Sequence, residues 1–400
     1  MLIFSYLFHV SLVYKYYQHF YKSHNANSVM KKMKVDPYDV QGEINYGRLI
    51  TEFGIKKIDK KLLARIEKIT GEIHPYLRRE IFFAHRDLEK ILDAYEKGEK
   101  FFLYTGIGPS GPIHLGHWSV WGFTKWLQDK FNVELWFQFT DDEKFLYKNM
   151  TYNEIQKWTE ENMKDVIAIG FNPKKTHFLI DTKHAGIMYP EAIKVAKKIT
   201  FSTIKASFGF TDSNNIGSIF YTAMQTVPAF LSNVLNNKNE YCLIPLAVDQ
   251  DPHFRISRDV IEKLGHKKPS IIHSKFMSPL TGATGKSSSS NSSKAILMTD
   301  DAKTVKNKIN KYAFSGGQDT VEEHRKKGGN VDVDVACQWL KYFEEDDKKL
   351  ADIYKKYSKG ELLSGEVKAI LIDKINKVLS EHQKRRQNAD KEFDKFSYKN

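Results

Sequence analysis

His114 and His117 stand three residues apart at the end of a stretch, Phe101–His117, that reads FFLYTGIGPSGPIHLGH. The stretch opens on an apolar run, Phe101–Tyr104, and passes through a loop holding Gly106, Gly108 and Gly111 before it reaches the histidines. A helical pattern follows at once, with Trp118, Trp121, Phe123 and Trp126 recurring over about two turns. Strand, glycine turn and helix N-terminus together bring backbone N–H groups against a phosphate. Glycine allows the close approach, and the first helical donors have no partner within the helix. His114 and His117 would share one face of that helix. Taken alone, the turn fits a phosphate cradle or an ordinary strand-to-helix connection equally. No zinc site is expected, because the HExxH pattern is absent and no third ligand accompanies the pair.

Two further polar groups follow apolar runs. Val133–Phe139, VELWFQF, reads as a buried strand that carries Gln138 and runs into TDDE. There Thr140 and Glu143 match a capping box, so Glu143 is either a helix cap or a ligand contact. Tyr241–Val248 reads as another strand and ends at Asp249 and Gln250. In an open parallel sheet ligands bind beyond the C-terminal strand ends, and all three strand ends here carry polar groups at that point. Gly285-Lys286-Ser287 is not a P-loop, since position 280 is Leu where the motif needs glycine. What remains is Lys286 in a Ser-rich loop, GATGKSSSSNSSK. It is either a linker residue or a cation that closes over nucleotide phosphates.

These groups need a scaffold. Four hundred residues, 41% of them hydrophobic, can bury a large core and suggest more than one domain. The net charge of +13 suits a polyanionic partner. Only Cys242 and Cys337 occur, which rules out a disulfide framework and fits a reducing compartment. Residues 1–34 begin with an apolar run too short and interrupted for a membrane span and read as a disordered extension. Residues 35–98 read as an appended segment, with short β-like pieces around VDPYDV and YGRLITEFGI and helices over Lys60–Ile69 and Arg86–Lys97. Further helices are predicted over Asn153–Ile169 and Glu191–Ile204, with a strand at Thr176–Ile180. Asp251 with Pro252 predicts a helix start, N-cap plus proline. Strands alternating with long helices over 99–300 predict an α/β domain with a parallel sheet. From 301 to 400 only helical patterns remain, so a helical domain is expected there.

Several blocks together resemble the tryptophanyl-tRNA synthetases of the eukaryotic and archaeal type, which are class I aminoacyl-tRNA synthetases. His114-Leu115-Gly116-His117 is similar to the HIGH motif. TGIGPSG, TDDEK, FGFTDS, IPLAVDQDPHFR, AFSGGQDTVEEHR and GGNVDVDVA resemble family blocks in the family's order. The resemblance runs from about Val35 to about Phe396. It implies a Rossmann-like catalytic domain followed by a helical anticodon-binding domain, in a cytoplasmic homodimer that activates L-tryptophan with ATP and Mg²⁺ and passes it to tRNA(Trp). It further implies that Tyr104 and Gln138 hold the indole N–H, with Glu143, Gln225 and Gln250 around the ammonium. Gly106, Gly108, His114, Gly116 and His117 would line the ATP site, with Lys286 and Ser288 from the signature loop; His114, His117 and Lys286 would be catalytic. Two departures stand out: that loop reads KSSSS at Lys286–Ser290 rather than KMSAS or KMSKS, and Ile107 replaces an expected basic residue. Tyrosyl specificity on the same fold, or a non-catalytic tRNA-binding relative, are the alternative readings.

Overall fold

The structure, a computed structural model, describes residues 45–282 and 294–399, together with the backbone of 34–35 and 40–41. The extension 1–33, and Lys286 and Ser288 of the Ser-rich loop, lie outside the described residues.

The frame is one seven-stranded sheet. Strands β1 (Lys34–Val35) and β2 (Val40–Gln41) pair only with each other. The sheet is built from β3 (Lys56–Lys57), β4 (Phe82–Arg86), β5 (Phe101–Ile107), β6 (Glu134–Phe139), β7 (Thr176–Ile180), β8 (Tyr241–Ala247) and β9 (Ser270–Ser274), in the order β3-β4-β9-β8-β5-β6-β7. The five strands from β9 to β7 are mutually parallel, and β4 and β3 add antiparallel at the β9 edge. Chain order runs β5, β6, β7 in one direction and then returns to β8 on the far side of β5. The crevice between β5 and β8 is therefore the switch point of a doubly wound, Rossmann-like sheet.

The sheet is parallel because its strands are apolar on both faces. Phe101, Leu103, Leu135, Phe137 and Phe139 join one core, while Phe102, Tyr104, Trp136 and Ile244 join the other, with the two-residue alternation a strand requires. The first core takes in the helices Leu115–Phe131 and Tyr152–Ile169 and continues through Val305, Leu340 and Leu371 of the C-terminal helices. The second is covered by the helices between β7 and β8 and by Asp251–Lys263. A buried pair fastens the C-terminal helix Ser364–Arg386 to Tyr152–Ile169: His382 and Arg386 both meet Asp165, at 3.0 and 2.8 Å. Beyond it the chain reaches the free edge of the sheet. Ser397 bridges Phe178 of β7 in parallel, Tyr398 N–H donates to the Phe178 carbonyl at 3.3 Å, and the Tyr398 ring lies 5.1 Å from that of Trp136.

Several local expectations need correction. YGRLITEFGI is not β-like but the helix Tyr46–Phe53, capped by Asn45 and stopped at Gly54 in the left-handed region. Arg86 belongs to β4, and the helix after it spans only Leu88–Glu96. Glu191–Ile204 is two helices, Ala185–Ala196 and Phe201–Phe208, because Thr200 caps a new start with its hydroxyl.

Candidate active site

A cavity of about 380 Å³ opens at the β5–β8 switch point, within the size range of small-molecule sites. Its floor comes from the strands. Tyr104 of β5, Gln138 of β6 and Gln225, which ends the helix Ile216–Met224, meet below it. The Tyr104 hydroxyl donates to Gln138 Oε1 at 2.5 Å and accepts from Gln225 Nε2 at 2.7 Å, and Tyr221 donates its hydroxyl to Gln225 Oε1. Burial, reinforced by Asp181, raises the Tyr104 hydroxyl well above its ordinary value, so the phenol stays neutral. Gly106 is required beside Gln138: a β-carbon there would stand 2.6 Å from the Gln138 carbonyl oxygen, a backbone atom with no room to retreat.

Glu143 closes one wall. The predicted capping box does not form, because Thr140 N–H donates instead to the Ile107 carbonyl at 3.0 Å. Glu143 turns its carboxylate to the Thr140 hydroxyl at 2.7 Å and the Lys144 ammonium at 2.9 Å. Burial pushes its pKa up, but the neighbouring Lys144 and Thr140 outweigh that and leave it below the usual carboxylate range. The wall is an anionic acceptor.

The opposite rim is the glycine turn. His114 is the N-cap of Leu115–Phe131, its Nδ1 accepting from Gly116 N–H at 3.1 Å, and its ring stacks on His117 with centroids 3.9 Å apart. Gly116 must lack a side chain, since a β-carbon would lie 2.9 Å from the His114 ring. The helix thus presents its positive end to the cavity, its first N–H groups held by His114 and the Ile296 carbonyl. Leu115 N–H donates to the Ile296 carbonyl and Met298 N–H to the Ile113 carbonyl, tying the chain just beyond the Ser-rich loop to this turn.

All the described residues singled out from sequence line this one cavity: Tyr104, Gly106, Gly108, His114, Gly116, His117, Gln138, Glu143, Gln225 and Gln250. Sequence reading passed over Lys144 and Lys148, two cations in the same wall, although TDDEK already holds the first. It also misread Asp251. Not an N-cap, Asp251 is a buried carboxylate held by Arg86 at 2.7 and 2.8 Å and by His273 at 2.7 Å, directly after Gln250. Arg86 also donates to the carbonyls of Phe53 and Gly54, so the N-terminal helix is linked to the pocket wall.

A doubly wound sheet with a histidine-capped helix start at its switch point is the α/β architecture of the class I aminoacyl-tRNA synthetases. Within that class, the family described as tRNA synthetases class I (W and Y) matches residues 96–380, and the chain belongs to it. Among its relatives, the tryptophan–tRNA ligase of Saccharolobus solfataricus is 49% identical over 366 residues, covering 91% of this chain and 95% of the relative. The cytoplasmic tryptophan–tRNA ligase of Homo sapiens is 47% identical over 365 residues, 88% of this chain and 78% of the relative. The solved tryptophanyl-tRNA synthetase of Plasmodium falciparum superposes with a TM-score of 0.83 at 46% identity, covering 88% of this chain and 97% of that one.

Proposed function

We infer that the chain is a tryptophan–tRNA ligase: it joins L-tryptophan to ATP, releasing pyrophosphate, and passes the tryptophanyl group to tRNA(Trp). The observation that carries this reading is the neutral Tyr104–Gln138 pair on the cavity floor, facing an ionised Glu143 on its wall. An indole N–H is a donor and Gln138 Oε1 an acceptor, while a substrate ammonium needs an anion and carbonyl-type oxygens, which Glu143, Gln225 and Gln250 supply. A buried site built on such bonds rejects amino acids that leave them unmade.

ATP lies against the glycine turn, its phosphates along Gly106, Gly108 and Gly116 and the helix start, beside His114 and His117. Lys286 and Ser288 are assigned to the pyrophosphate side by their place in the signature loop. Mg²⁺ comes with ATP, whose phosphate oxygens suit it. The tryptophan carboxylate oxygen attacks the α-phosphorus and the bond to pyrophosphate breaks, giving the mixed anhydride. A hydroxyl at the tRNA 3′ end then attacks the carbonyl and AMP leaves. No side chain is the nucleophile; the site aligns the two substrates and neutralises charge moving onto pyrophosphate.

The division into a catalytic part, 99–300, and an anticodon-reading helical part, 301–400, belongs to the same reading, and the basic excess suits the tRNA. A homodimer is supported by an apolar surface. Phe145, Tyr152, Tyr189, Ile193 and Ile216 are exposed on helices that touch one another, with Ile216 84% exposed. Among the described residues no helix is long and apolar enough to cross a membrane, and the cytoplasm is the proposed compartment. ATP–pyrophosphate exchange with tryptophan, tyrosine and phenylalanine tests the assignment. Tryptophan alone should support exchange, and exchange with tyrosine but not tryptophan overturns it.

A further inference from the structure

Gln138 is fully buried, and its amide points both ways along a chain of hydrogen bonds. Its Nε2 donates to both carboxyl oxygens of Asp181, each at 2.9 Å. Its Oε1 faces the Tyr104 hydroxyl at 2.5 Å and Gln225 Nε2 at 3.3 Å. A primary amide is nearly symmetric in shape, so packing alone cannot choose between its two orientations. The choice decides what the pocket recognises: an oxygen accepts an indole N–H, whereas an NH₂ group opposes it.

We propose that Asp181 is a positioning residue for substrate specificity: as a fixed acceptor on Nε2, it holds Gln138 with its oxygen toward the indole. The proposal rests on the tryptophan reading of the site. Asp181 follows β7 directly, its N–H bonded to the Phe139 carbonyl at 3.2 Å, and it does not itself line the cavity. It is buried and hydrogen-bonded to Asp142. Burial and then the Asp142 charge push the Asp181 carboxyl well above the ordinary range, while burial lifts Asp142 only to about 6. The two carboxyls share a proton between them. In either arrangement Asp181 keeps an oxygen that accepts from Gln138 Nε2.

The chain then has one direction. Gln138 donates to Asp181, and Tyr104 donates to Gln138, whose second lone pair, met here by Gln225 Nε2 at a long 3.3 Å, is the one the indole takes. Asparagine likewise offers Gln138 Nε2 an accepting oxygen at this place, so Asp181→Asn should preserve the orientation. An apolar side chain at 181 should release it.

The test compares tryptophan with its benzothiophene counterpart, in which sulfur replaces the indole N–H, by pyrophosphate exchange with the full chain. The unaltered protein should prefer tryptophan by about a hundredfold or more in kcat/KM. If it shows no preference, the indole role of Tyr104 and Gln138 fails, independently of Asp181. Given that preference, Asp181→Ala should reduce it by about tenfold or more, while Asp181→Asn retains most of it. Asp181→Leu serves as the apolar variant if the alanine protein does not fold. A merely structural role would slow both substrates together and leave their ratio alone. An unchanged ratio in a folded apolar variant, or an equal loss in Asp181→Asn, overturns the proposal.

Discussion

Replacing Asp251 by asparagine should both weaken the fold and loosen the tryptophan pocket. Burial alone would raise the Asp251 pKa, but hydrogen bonds and charge from Arg86 and His273 more than reverse that and hold it at about 2, against 3.8 in a free side chain. A depression of that size corresponds to about 2 kcal/mol of stability at neutral pH. Asp251 is only 1% exposed, so water screens little of it. The sign is fixed by the depressed pKa: the contribution is fully present above about pH 4 and disappears as pH falls through about 2, with roughly half gone near pH 3. Asparagine removes the charge and leaves the Arg86 guanidinium, itself largely buried, without its anion, which adds to the loss. Denaturant unfolding of both proteins at several pH values is the assay. The gap should be about 2 kcal/mol or more at pH 7 and should narrow between pH 4 and pH 3. A gap that stays constant across that interval would refute the assignment of the effect to the carboxylate. Because Gln250 is the adjacent residue, KM for tryptophan should also rise while KM for ATP changes less.

Other substitutions test the remaining walls. Glu143→Gln removes the anion facing the substrate ammonium and should raise KM for tryptophan by about tenfold or more with little change for ATP, as read by exchange kinetics. Gly116→Ala forces a β-carbon to 2.9 Å from the His114 ring, so the cap must open; exchange should fall with KM for ATP rising. Lys286→Ala should lower kcat by about a hundredfold at nearly constant KM for tryptophan, and equal exchange rates in the two proteins would remove Lys286 from the reaction.

The chemistry-bearing strand ends were legible because apolar runs bounded by polar or glycine residues mark parallel strands locally. Tyr104, Gln138 and Gln250 could be read from their own neighbourhoods, and the family blocks added Gln225. What escaped depended on distant partners. FFAHR and SIIHS become β4 and β9 only by pairing with each other across nearly two hundred residues, and β4 runs straight into a helical pattern. Thr140 and Glu143 satisfy the capping-box spacing, yet the Ile107 carbonyl takes the Thr140 N–H and Lys144 draws the carboxylate away. Asp251 before Pro252 looks like an N-cap, but a buried arginine and histidine from two other strands claim it. In each case a tertiary partner outweighed a locally sufficient signal.

The contact between Ser397–Tyr398 and β7 has a consequence for biogenesis. An edge strand with unpaired N–H and C=O groups is a template for a second chain, and here the cover is formed by a segment more than two hundred residues further along. During translation β7 therefore leaves the ribosome long before its cover exists. Nascent chains on one polysome hold that open edge, flanked by Trp136 and Phe178, close to identical neighbours. Variants that weaken the 396–398 segment should lower the yield of soluble protein made in cells more than they lower the activity of the fraction that folds.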